Sequence, residues 1–150
     1  MKWFDRFSIG QSGYLNILMY HRILKAHDPL RPDEITRREF EQHLEILARY
    51  FHVLPIDMAY SRLCEGTLPP NAVVITFDDG YQDNCEIALP LLRKYQMPAT
   101  FFIATGFLEH GIMFNDQIIE TIRQFEDKFY FQYKTFDCSR LQGKQEAISS

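Results

Sequence analysis

Ala72-Val73-Val74-Ile75-Thr76-Phe77-Asp78-Asp79-Gly80 is the stretch on which the fold turns. Its first six residues are β-branched or apolar at nearly every position, with no alternation, which suits a strand buried on both faces of a parallel sheet. The run halts abruptly at two acids and a glycine. A helix is expected from Asp83 or Asn84, with Ile87, Ala88, Leu91, Leu92 and Tyr95 on its buried side and Pro90 bending it or restricting its first turns. Ala99 to Ala104 (ATFFIA) then gives a further buried strand, ending at Thr105-Gly106. Strand, helix and strand in this order predict an α/β fold, its parallel strands joined by right-handed crossover helices.

Upstream, Leu15 to Tyr20 (LNILMY) forms another short apolar run, expected as a strand buried on both faces, and it ends at His21-Arg22. Pro29 and Pro32 mark a loop between Ala26 and Asp33. Thr36 with Glu39 forms a capping box, opening a helix whose apolar stripe is Phe40, Leu44, Leu47 and Phe51. His43 lies beside that stripe and is expected at the helix boundary. Val53 to Ile56 reads as an edge strand because of Pro55. Asp57 is expected to cap a short helix through Cys64, stopped by Gly66.

Downstream, Asn115 is expected to cap a helix carrying Ile118, Ile119, Ile122 and Phe125. Lys128 to Phe136 alternates as a half-exposed strand or hairpin arm does. Ser139 opens a helical stretch from Arg140 to Ser150 that has no stop signal, so the chain is expected to be a fragment of a longer domain.

Composition narrows the function. With 150 residues and 46% apolar residues the chain is expected to build one domain, 1–150, around a packed core, and its thirteen Phe and eight Tyr are first of all core filling. Net charge is −4 and no basic run goes beyond a pair such as Arg37-Arg38, so nucleic acid is excluded as a partner. The three cysteines form no CxxC pair, which fits buried thiols in a reducing compartment. Met1 to Arg6 lacks the apolar segment of a signal peptide, and no apolar run reaches the roughly 18 residues of a membrane span. A cytoplasmic location follows as an expectation; the oligomeric state is left open.

The chemistry concentrates at Asp78-Asp79-Gly80. Neighbouring side chains of a regular strand point to opposite faces, so both acids can serve one site only if the chain turns sharply, which Gly80 permits. Two carboxylates a few ångströms apart repel unless a cation lies against them. A divalent metal answers that need, with one aspartate as ligand and the other taking protons from an activated water. A solvated Asp-Asp-Gly turn without a role is the bland alternative. Metal-dependent phosphoryl transfer is the rival chemistry, but it commonly spaces its acids as DxD, and no glycine-rich phosphate loop follows here.

Thr76-Phe77-Asp78-Asp79-Gly80-Tyr81 resembles the first motif of the polysaccharide deacetylases, the NodB-homology group also called carbohydrate esterase family 4. Ala88-Leu89-Pro90-Leu91-Leu92 and Pro98-Ala99-Thr100-Phe101-Phe102 resemble the helix and strand that follow it. Met19-Tyr20-His21-Arg22-Ile23, and Gly106-Phe107 with Phe114-Asn115-Asp116, are similar to a subset of the family. The resemblance implies the N-terminal part of a distorted (β/α)7-8 barrel with its site at the strands' C-terminal ends. It implies Asp78 as general base and Asp79 as ligand of a divalent metal, usually zinc. Hydrolysis of the N-acetyl groups of an amino-sugar polysaccharide is the implied reaction.

His21 and Tyr81 are implied active-site neighbours or substrate contacts; a strand-end histidine bonded to backbone is the alternative for His21. His110 is expected in a surface loop, and Asn115 and Asp116 at a helix start. The family's later pair of metal-binding histidines has no counterpart among the five histidines, so the metal site is expected to be incomplete and the chain alone inactive. A non-catalytic or glycan-binding remnant is therefore the alternative function.

Overall fold

The computed structural model describes residues 13–108, 111–125, 128–131, 134–137, 139 and 141–149. The chain divides into two compact units, one made of Met1–Ala26 with Glu34–Ile103, the other of His27–Asp33 with Ala104–Ser150. Cys138 and His110 lie outside the described residues.

The first unit runs β1 (Asn16–Tyr20), β2 (Ile23–Leu24), β3 (Ile35–Thr36), α1 (Arg37–Tyr50), β4 (His52–Val53), α2 (Ile56–Cys64), β5 (Ala72–Phe77), a π-helical turn at Asn84–Ala88, α3 (Leu89–Lys94) and β6 (Thr100–Phe101). β5 is the hub. It pairs in parallel with β1 from Asn16↔Val73 to Tyr20↔Phe77, with β4 at Ala72 and Val73, and with β6 at Thr76 and Phe77. Every residue of β5 is buried, as its unbroken apolar run requires.

One face of the hub carries the core. Phe40, Leu44 and Leu47 of α1 are fully buried there with Val73, Ile75 and Phe77, beside Ile87, Ala88, Leu91 and Leu92. Phe77 stacks on Phe101 at 4.9 Å and on Tyr20 at 5.4 Å between ring centroids, and Phe40 meets Phe77 edge-on at 5.7 Å. The capping box at Thr36 and Glu39 is present, with both reciprocal hydrogen bonds made. His43 sits at the boundary as expected, its Nδ1 3.1 Å from the Tyr20 hydroxyl. Burial lowers the His43 pKa, against a smaller raising effect of Glu39, which favours the neutral ring.

Several local expectations are corrected. β1 is buried on one face only, because Ile17 and Met19 are 57% and 60% exposed while Tyr20 is buried. β6 is two residues long, and Phe102 and Ile103 beyond it are about half exposed at 51% and 49%. α2 begins at Ile56 with Pro55 as its cap residue and no side-chain cap, leaving Asp57 in the first turn. Cys64 and Cys85 are exposed free thiols and not buried ones. The helix expected around Pro90 is a π-helical turn followed by α3, with Pro90 in the first turn of α3. Proline has no N–H, so the α pattern is interrupted ahead of it, and the Leu89 N–H closes a wider turn onto the Asn84 carbonyl.

The second unit contains the 27–33 segment, a 3-10 turn at Thr105–Phe107, α4 (Phe114–Gln124), the antiparallel pair β7 (Lys128–Phe131) and β8 (Lys134–Asp137), and α5 (Leu141–Ser149). The Lys128–Phe136 stretch thus contributes to two antiparallel strands and not to one. Met113 precedes α4 without a side-chain cap, and Asn115 lies inside the helix. Arg31 is buried and ion-paired with Asp28, Asp116 and Glu120, while Arg123 bridges Asp28 and Glu120. This network fastens the 27–33 segment to α4, and its paired charges make the burial of Arg31 tolerable.

Candidate active site

The strand registers set the site. Tyr20, Phe77 and Phe101 are aligned, so His21, Asp78 and Phe102 leave the sheet side by side at the C-terminal ends of β1, β5 and β6. The ladder continues one step past the strands: the Asp78 N–H donates to the Tyr20 carbonyl at 2.9 Å, and the Phe102 N–H to the Phe77 carbonyl at 2.8 Å.

Immediately after, the chain reverses. Asp79 has φ of +73° and Gly80 of +77°. The Gly80 N–H donates to the Asp78 carbonyl at 3.0 Å, closing a γ-turn centred on Asp79. A positive φ costs an aspartate of order 1–3 kcal/mol, and such strain gathers at functional sites. The expected sharp turn is therefore present, but Asp79 carries it as well as Gly80. Gly80 also stands where a Cβ would come 2.7 Å from Ile103 Cδ1. Asp78 and Asp79 are both half-buried, and among the described residues neither is in a salt bridge. Tyr81 and His21, the other two expected site residues, are half-buried as well.

Sequence reasoning missed what holds these pieces. Asp83 accepts from Arg22 Nε at 2.9 Å and from the Ile23 N–H at 3.2 Å. The His21 carbonyl and the Asp83 carboxylate can only accept, so the buried Asn84 amide turns its Nδ2 to both, at 3.0 and 3.2 Å. The Arg22 guanidinium lies 4.5 Å from the centre of the Tyr81 ring. Asp83 and Asn84 were legible only as helix-start residues. Their partners are some sixty residues away in sequence, and no local pattern announces them.

Asp116, similar to a subset feature of the family, is buried against Arg31 in the second unit and fastens the 27–33 segment. A catalytic zinc takes three protein ligands as a rule. Among the described residues no group of three or more His, Cys, Asp or Glu is placed to hold a metal, so these residues do not fit a complete zinc centre. Nor, among them, is any helix long and apolar enough to cross a membrane.

A polysaccharide deacetylase family model matches residues 65–147. Bacillus subtilis (strain 168) YxkH, named for the polysaccharide deacetylases, is 39% identical over 98 residues, which is 64% of this chain and 34% of YxkH. A Staphylococcus aureus (strain MSSA476) poly-beta-1,6-N-acetyl-D-glucosamine N-deacetylase is 31% identical over 104 residues, 59% of this chain and 35% of that enzyme. Among solved structures, the Streptococcus pyogenes deacetylase PplD in complex with acetate superposes with a TM-score of 0.57 at 30% identity, covering 71% of this chain and 50% of PplD. The chain thus spans about a third of the length of these two sequence relatives and half that of the solved one.

Proposed function

The chain belongs to the polysaccharide deacetylase family, and from that premise we propose that the protein hydrolyses N-acetyl groups of an amino-sugar polysaccharide. The observation that carries this reading is the placement of Asp78 and Asp79. Two acids sit at the C-terminal end of the central strand, the second of them at positive φ in a γ-turn. The supporting likenesses are to an enzyme named for poly-N-acetylglucosamine and to a deacetylase solved with acetate, the acid that N-acetyl hydrolysis releases.

In this reading Asp78 is the general base. Its carboxylate accepts a proton from the attacking water as the carbon–oxygen bond forms, and that proton passes to the nitrogen as the carbon–nitrogen bond breaks and the amine leaves. His21 and Tyr81 flank the substrate. The family generally uses a metal, and zinc would supply electrophilic stabilisation of the developing oxyanion. Asp79 is the ligand this stretch offers, and the described residues do not complete a ligand set around it.

The test is a chimaera in which residues 14–103 replace the matching segment of the Staphylococcus aureus deacetylase. It is expected to release acetate from N-acetylglucosamine oligomers, and Asp78→Asn is expected to lower kcat by at least roughly 100-fold, the scale of general-base removal. A chimaera whose activity ignores Asp78→Asn contradicts the assignment. Phosphate release from a phosphomonoester, without acetate release, would favour the phosphatase chemistry instead.

A further inference from the structure

We propose that Arg22, Asp83 and Asn84 are positioning residues, a clamp that fixes His21 against the Asp78–Asp79 turn; the chemical part of this proposal rests on the deacetylase reading above. The geometry is a closed circuit. At one end of the turn the Asp78 N–H is bound to the Tyr20 carbonyl at 2.9 Å. At the other end, Asp83 and Asn84 bind the three residues after Tyr20 in succession: the His21 carbonyl, the Arg22 guanidinium and the Ile23 N–H. Segment 20–23 therefore spans segment 78–84 at both ends, and the strained turn lies between the two attachments.

Each contact is of a kind that holds position. Asp83 is charge-paired and uses both oxygens, and with Arg22 it forms an ion pair whose side chains are only 23% and 12% exposed, where screening by water is reduced. Asn84 is 3% exposed, and removing its amide leaves the His21 carbonyl and an Asp83 oxygen each short of a donor. Its own N–H donates to the Tyr81 carbonyl at 3.0 Å, so the chain leaving the γ-turn is tied into the same set. Arg22 covers the Tyr81 ring from above. These contacts act on either side of the His21 side chain and on the exit of the acid pair. A displacement of about 1 Å between reacting groups costs on the order of 100-fold in rate, so a clamp of this kind sets kcat.

The test has two readouts. In the full 150-residue chain, backbone order parameters are measured by nitrogen-15 relaxation for wild type and for Arg22→Lys, Asp83→Asn and Asn84→Ala. His21 and Ile23 are expected near about 0.85 in wild type and below about 0.6 in Asp83→Asn and Asn84→Ala, while Leu44 and Ile75 stay rigid. Unchanged values at His21 and Ile23 overturn the clamp. Should either of these variants unfold, Arg22→Lys carries the test by the same criterion, since it keeps the charge and loses the Nε contact and the ring stacking.

In the chimaera, the same variants are expected to lower kcat roughly 10- to 100-fold with KM within about two-fold. A purely structural brace would leave kcat per folded molecule unchanged, and that result overturns the positioning role. If the wild-type chimaera releases no acetate, the deacetylase reading fails while the relaxation result still decides whether the clamp exists.

Discussion

Asp79 and Gly80 both take positive φ, yet only the glycine could be anticipated from the sequence. Glycine adopts that region at no steric cost, and aspartate is among the few other residues that tolerate it. A Gly80→Ala substitution is expected to lower the unfolding free energy by about 1–2 kcal/mol through its backbone alone. The contact with Ile103 adds less, because Cδ1 is the movable end of a side chain. Denaturant melts of Gly80→Ala and of Gly80→Ala with Ile103→Ala check this: the second change should recover only a small part. Full recovery would place the cost in the contact and not in φ. The acid pair itself was legible because two adjacent charges after six β-branched or apolar residues have no core explanation. Its clamp was not, because a helix-start Asp-Asn reads the same whether it caps the helix or reaches across to a distant strand end.

At the scale of elements, β5 and α1 were legible because each carries its own signal: an unbroken β-branched run in one, a capping box with an i, i+4 stripe in the other. β1 and β6 were not, since an apolar run does not say how many of its faces will find partners. Ile17 and Met19 read as core and stand exposed on the outer face of β1. The Thr36–Glu39 box makes a direct prediction. Thr36→Ala should cost about 0.5–2 kcal/mol in a urea melt, with Thr36→Ser close to wild type. An unchanged melt for Thr36→Ala would mean that the packing of Phe40, Leu44 and Leu47 alone holds α1 in place.

At the scale of the molecule, the two units differ in what holds them. The first is built on stacked aromatic rings and apolar helices around β5, the second on a charge network joining the 27–33 segment to α4. Burial pushes the Asp28 carboxyl up, but hydrogen bonds from Arg123 and the Leu30 N–H and both guanidinium charges outweigh it and hold its pKa down. Glu120 is lowered in the same way by Arg123 and Arg31 against its own burial. A lowered carboxylate stabilises the folded form above its ordinary value, here 3.8 and 4.5, and that contribution drains as pH falls below it. Acid titration followed at the α4 amides should thus show loss of this unit's order in that range, with Arg123→Ala moving the midpoint to higher pH. An unmoved midpoint would remove the network from the account.

The central claim is a division of labour between two neighbouring carboxylates. It is tested most directly by measuring zinc binding and acetate release side by side in Asp78→Asn and Asp79→Ala forms of the chimaera. The account predicts that Asp78→Asn keeps the metal and loses release, whereas Asp79→Ala loses the metal first. The reverse pattern, or two variants that both bind zinc and both release acetate at the parent rate, would contradict it.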